Sequence, residues 1–171
     1  MNDAEEIRER GEALRRLAQS LEGKPVVWGP DGDDCSQLPL QWVVSWRERM
    51  TGVCPDVDAP DYSTEEESLA LIAKAGGLVN LWDPICQQLG MDPLGPADIP
   101  VVGDVGIINI GRKGVDGAFL QSGGIFLHGG LFMWRAEASW ATLDALGRTF
   151  PRRTSNGWQK VPVIAKAWRL A

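Results

Sequence analysis

Trp28-Gly29-Pro30-Asp31-Gly32-Asp33-Asp34-Cys35-Ser36 is the stretch that decides how this chain is read. Its first half consists of turn formers: glycine supplies unusual backbone angles, proline fixes one, and aspartate side chains close onto nearby amides. Its second half delivers a cysteine to the start of an apolar stripe, in which Leu38, Trp42, Val43, Trp46 and Met50 recur at helical spacing. The pattern predicts a helix over 35–50 with Asp34 as its N-cap. Pro39 lies deep for a first-turn proline, which predicts an irregular opening turn. A thiol at a helix start sits at the positive end of the macrodipole, which favours thiolate. The same position also suits a small buried cysteine with no chemistry of its own.

Working outward, Lys24-Pro25 separates this stretch from an N-terminal helix. Asn2 and Asp3 can cap that helix, Glu6 stands in capping-box position, and Ile7, Leu14, Leu17 and Leu21 form its apolar stripe. Residues 1–24 therefore read as an amphipathic helix and 25–171 as an α+β region, together one domain. On the other side, 52–62 is a Pro/Asp loop. Ser63 with Glu66, or Thr64 with Glu67, then caps a helix that runs to Ala75 and stops at Gly76-Gly77. A short helix over 78–89 is expected to break near Pro84. Beyond Pro100 the texture changes to short apolar runs at 105–110, 115–120, 125–128, 131–135 and 161–169, with 136–146 read as a short helix. Helices first and strands later indicate an α+β fold, N-terminal helices packed on a small antiparallel sheet.

Composition bounds the functions. The 171 residues, 44% hydrophobic and 23% charged, are enough to bury a core without metals or disulfides. A net charge of −6 argues against a general nucleic-acid binder. No apolar run approaches the roughly 18 residues of a membrane helix. The charged N-terminus is unlike a secretory signal, so the chain is expected to be made and folded in a cytoplasm, without membrane insertion. From Ala145 onward every charged side chain is basic (Arg148, Arg152, Arg153, Lys160, Lys166, Arg169), whereas Asp56, Asp58, Asp61 and Glu65 to Glu67 gather acid. Such asymmetry fits either a solvated surface or a partner's contact face. Cys35, Cys54 and Cys86 are an odd set, and with His128 they lack any C-x-x-C clip for zinc. No cofactor is implied. Eight tryptophans against one tyrosine supply core, or anchors for an interface.

Trp28-Gly29 followed by Asp34-Cys35-Ser36 at a helix start resembles the nucleophile segment of the NlpC-type, papain-like cell-wall peptidases. Those show an Asp-Cys-Ser-Gly run, and this chain has Gln37 at the glycine. Gly103-Asp104-Val105 with Gly106-Ile107-Ile108 resembles the family's first core strand. Its next strand opens with the catalytic histidine in a His-Val-Gly-Ile-Tyr-like run, for which Val115-Asp116-Gly117-Ala118-Phe119 stands here. The family's third polar residue comes about a dozen positions later, where this chain has Phe126-Leu127-His128-Gly129. The resemblance covers most of 25–169. The wider order, with the loop leading to Tyr62 and the terminal Ala167-Trp168-Arg169, is similar to phage tail-assembly and gene-transfer-agent relatives.

The resemblance implies Cys35 as nucleophile, Asp116 at the place of the base and His128 at that of the orienting residue. That set is incomplete. A carboxylate near pKa ~4 is a poor base for a thiol near ~8.5, and its charge opposes a thiolate. Losing a positioned base removes ~10²–10⁴-fold of rate, unless His128 reaches Cys35 directly; alone, His128 also suits a structural role at a strand end. Asp33, Asp34 and Asp104 read as capping, turn and strand-start residues, and Gly123-Gly124 and Gly129-Gly130 as tight-turn glycines.

Three functions are compatible with this reading. The first is a structural component of a phage or phage-like tail tip or baseplate, an inactive relative of the peptidoglycan cysteine peptidases assembled in the host cytoplasm into the virion tail beside other tail proteins. The second is a cysteine peptidase or amidase cutting peptidoglycan stem peptides during genome delivery, with a backbone N–H at the helix start holding the oxyanion. The third is a glycan or peptide binder in the old cleft.

Overall fold

Acidic side chains in its first turn favour the start of helix α1 (Asp3–Leu21), which buries Leu14 and Arg10. The computed structural model describes residues 3–113 and 119–170. α1 is fastened to the rest of the chain by polar contacts as well as packing. Arg10 donates to the Leu170 carbonyl at 2.6 Å, the Trp140 indole to that of Ala18 at 3.1 Å, and the Gly23 amide to that of Ala138 at 3.0 Å.

The second helix, α2, runs Leu38–Thr51. It begins three residues later than the expected 35–50 span. Proline cannot donate a helical hydrogen bond and suits only the first turn, so Pro39 fixes where the regular helix begins. Residues 35–37 form a separate turn ahead of it. Leu38, Trp42, Val43 and Trp46 are buried as the stripe predicted, whereas Met50 is 44% exposed. In α3 (Glu65–Ala75) the capping box is present: Thr64 accepts from the Glu67 amide, and the Glu67 carboxylate accepts from the Ser63 amide and hydroxyl. After Gly76-Gly77 the chain bends by 84° into α4 (Leu78–Gln88). Pro84 does not break α4, contrary to expectation. It lies on the exposed face together with Asn80, whose carbonyl loses a helical donor where water can replace it.

Eight strands follow: β1 (Asp92–Pro93), β2 (Val105–Lys113), β3 (Phe119–Phe126), β4 (Leu131–Ala136), β5 (Ser139–Asp144), β6 (Thr149–Thr154), β7 (Gly157–Pro162) and β8 (Ile164–Arg169). Six of them form an antiparallel sheet in the order β1-β8-β2-β3-β4-β5, and β6 pairs with β7 in a separate hairpin. The fold is thus α+β, with four helices and an antiparallel sheet. Strand alternation sorts the core. Val105, Ile107, Ile125, Met133 and Trp168 join Leu14, Trp42, Trp46, Leu78, Trp82 and Ile85 beneath the helices. Ile108, Phe126, Phe132 and Ala167 face the other way, where Ala145, Phe150 and Val163 cover them.

Three readings of the strand region need correction. The expected helix at 136–146 is a turn and strand β5, because Glu137 takes a left-handed φ of 45° and reverses the chain onto β4. The run at 161–169 is divided at Val163, whose amide bonds to the Arg148 carbonyl and leaves the sheet register. Gly123 and Gly124 lie inside β3 instead of in a turn, while Gly129 and Gly130 do take left-handed angles in a tight 3-10 turn.

Candidate functional site

The loop ahead of Cys35 is held by the two aspartates that precede it. Asp33 accepts from the Val27 amide at 2.7 Å and is paired with Arg135 of β4 through Nε and an amino nitrogen at 3.2 and 3.1 Å. Arg135 is wholly buried and also donates to the carbonyls of Lys24 and Ser139. Its charge is thus committed to pinning the loop on the sheet.

Asp34 is fully buried and works as an N-cap for the turn at 35–37. Its Oδ1 accepts from the Ser36 amide at 2.8 Å and the Gln37 amide at 3.3 Å, and its Oδ2 accepts from the Gly29 amide at 3.4 Å. The Tyr62 hydroxyl lies 3.0 Å from both oxygens. Burial pushes the Asp34 carboxyl above the usual carboxylate range, and the hydrogen bonds pull against it without cancelling it. Tyr62 is raised in turn, by burial and by the Asp34 charge. The expected roles of Asp33 and Asp34 in capping and turn formation are met, with a tyrosine and an arginine as partners.

Cys35 lies against β3. Gly123 permits the approach: a Cβ there would stand 2.3 Å from the Cys35 carbonyl oxygen and 2.4 Å from the Trp82 ring. Protein surrounds the thiol on most sides, and Cys35 as a residue is partly buried. The Ser122 hydroxyl, the Gly123 backbone and Ser36 lie near it, and the Ser122 hydroxyl donates to the Gly123 carbonyl at 3.3 Å. Burial pushes the thiol above its ordinary value; Ser122 and Gly123 oppose the rise, and the Asp34 charge adds to it. Two amides at the helix start are already taken by Asp34, so they face a carboxylate and not a thiolate. The crevice between Cys35, Pro39, Gly124, Trp134 and Arg135 is too tight to admit water.

His128 does not join it. His128 opens the 3-10 turn after β3 and lines a separate cavity of about 730 Å³ between α1 and the sheet, near Gly11, Leu14, Leu131 and Met133. Asp116 lies outside the described residues. Among the described residues no group of three or more His, Cys, Asp or Glu side chains could hold a metal ion. Asp104 begins no catalytic cluster: it is buried, accepts from the Val101 and Leu170 amides at 2.9 Å, and meets Arg169 at 3.5 Å.

The residue the sequence reading passed over is Ser122. Its signal was available in the pair Gly123-Gly124, which marks close backbone approach within a strand as readily as a turn. No family model, curated protein or solved structure matches the chain.

Proposed function

We propose that this chain is a structural component of a phage or phage-like tail tip or baseplate, built on a papain-like NlpC-type fold whose catalytic set is degenerate. The observation that carries the reading is what surrounds Cys35: Gly123 and serine side chains lie about it while His128 lines a separate cavity, where a cysteine peptidase needs an imidazole beside the thiol. A hydroxyl cannot take the thiol's proton at neutral pH, and the raised Cys35 pKa is the opposite of what an activated nucleophile shows. Arg135, the nearby cation, is spent on Asp33 and two carbonyls.

The resemblance supports the fold half of the proposal. A cysteine turn at a helix start, laid against an antiparallel strand, is the arrangement the NlpC-type pattern implies. The geometry also favours a different alignment: Ser122-Gly123-Gly124-Ile125-Phe126 has the form of the family's His-Val-Gly-Ile-Tyr run, with serine for histidine. The third polar position then falls at Trp134-Arg135 in place of His128.

Alkylation by iodoacetamide, followed site by site by mass spectrometry in a Cys54→Ser variant, tests this. Cys35 should react slowly, with an apparent pKa above the ordinary thiol value of ~8.5. Cys86, buried and pushed up to about 12 with burial the chief cause, should not react until the protein unfolds. The chain should release no peptides from peptidoglycan and should co-sediment with tail particles. Fast labelling of Cys35 below pH ~8.5, with hydrolysis abolished by Cys35→Ala, would replace the proposal with a working peptidase.

A further inference from the structure

The six basic residues beyond Ala145 divide into two groups. Arg148 pairs with Asp144, Lys166 with Asp83 and Arg169 with Asp104. The side chains of Arg152, Arg153 and Lys160 have no ion-pair or hydrogen-bond partner among the described residues, and all three lie on the β6–β7 hairpin. The register of that hairpin, Arg153 opposite Trp158 and Pro151 opposite Lys160, puts Arg153, Trp158 and Lys160 on one face. The other face turns Phe150 inward against Gly111. Trp158 is 72% exposed, the most exposed large apolar side chain described. An indole held in water between two unpaired cations is a surface prepared for an acidic, partly apolar partner.

The same chain carries such a surface. Beside α3 a groove of about 500 Å³ is lined by Asp61, Tyr62, Glu67, Ala70, Leu71 and one base, Lys74. Asp56, Asp61, Glu65 and Glu66 have no cationic partner among the described residues, and no ion pair there joins these carboxylates to the hairpin of their own chain. We infer that the β6–β7 hairpin of one copy docks into the α3 groove of a second copy, Trp158 entering the groove while Arg153 and Lys160 meet Asp61 and Glu66, the latter one helical turn ahead of Ala70. Both halves of the contact are present on every chain, so copies associate by exchanging hairpins or by linking head to tail. The inference stands whether or not Cys35 is chemically active.

Sedimentation velocity of the whole chain over a concentration series at low salt tests it. Self-association should appear and weaken in 0.5 M salt, as exposed charge pairs are screened. The double variants Arg153→Glu/Lys160→Glu and Asp61→Lys/Glu66→Lys, each checked for an unchanged thermal melt, should lose at least tenfold in self-association. Mixed together, the two should associate again, since one presents an acidic hairpin and the other a basic groove. A wild-type chain that stays monomeric throughout, association indifferent to both reversals, or a mixture that fails to associate would each overturn it.

Discussion

Asp34 concentrates the chemistry of single residues here. One carboxylate fixes the Cys35 turn through two amides, ties it to the preceding loop through Gly29, and binds the Tyr62 hydroxyl. Its pKa is raised on folding, so the folded chain holds this proton more tightly than the unfolded one. The stability it contributes is therefore fully present below the ordinary carboxylate value of ~3.9 and is lost as pH rises through the folded value. Asp34→Asn keeps a neutral acceptor at the same place. Melting temperatures of the two proteins between pH 7 and 4 should shift relative to each other in favour of wild type on acidification; a constant gap would show that the carboxyl is not raised. Asp34 was legible in the sequence because capping is a local act, read from spacing alone. Ser122 was not, because what makes it matter is a contact across about ninety residues of chain. The strand alignment drawn from the resemblance pointed to Asp116 and His128, a choice on which periodicity has no bearing.

At the scale of elements, glycines separate positions where the fold needs an absent side chain from those where it merely tolerates one. Gly123→Ala in β3 would drive a methyl group into the Cys35 carbonyl and the Trp82 ring, neither of which can move freely. Gly11 in α1 has ordinary angles, and its nearest neighbours, His128 Nε2 at 3.6 Å and Val102 Cγ1 at 3.9 Å, leave room for a methyl. The same substitution should therefore have opposite signs. Urea unfolding should show Gly123→Ala less stable by about 3 kcal/mol and Gly11→Ala more stable by about 0.5–1 kcal/mol. The helices were the legible elements: the Thr64–Glu67 cap and the Gly76-Gly77 stop are encoded within a few residues. β5 was misread because its conformation is decided by pairing with β4, which overrides local preference. The β6–β7 hairpin was missed because its arginines, its proline and its polar strands carry no apolar alternation.

For the molecule as a whole, the order of strands in space departs from the order in the chain. β1 and β2 are neighbours in sequence but not in the sheet; β8, made from residues 164–169, lies between them and pairs with both. Trp168 carries that strand into the main core beside Trp82, at a ring separation of 5.8 Å, and Leu170 is anchored by Arg10 and Asp104. The consequence concerns synthesis. While the polypeptide emerges from the ribosome, its helices and the meander of β2 to β5 can form, yet the slot between β1 and β2 remains empty and its edges unpaired. The nascent chain must wait, open and chaperone-accessible, for residues 164–169 before it can lock. Ribosome-held chains arrested before residue 164 should be cut by protease throughout the helical region, and chains held only after residue 170 is clear of the ribosome should resist. Final closure then comes in one late step, when residues 164–169 slide between two strands that have been waiting for them.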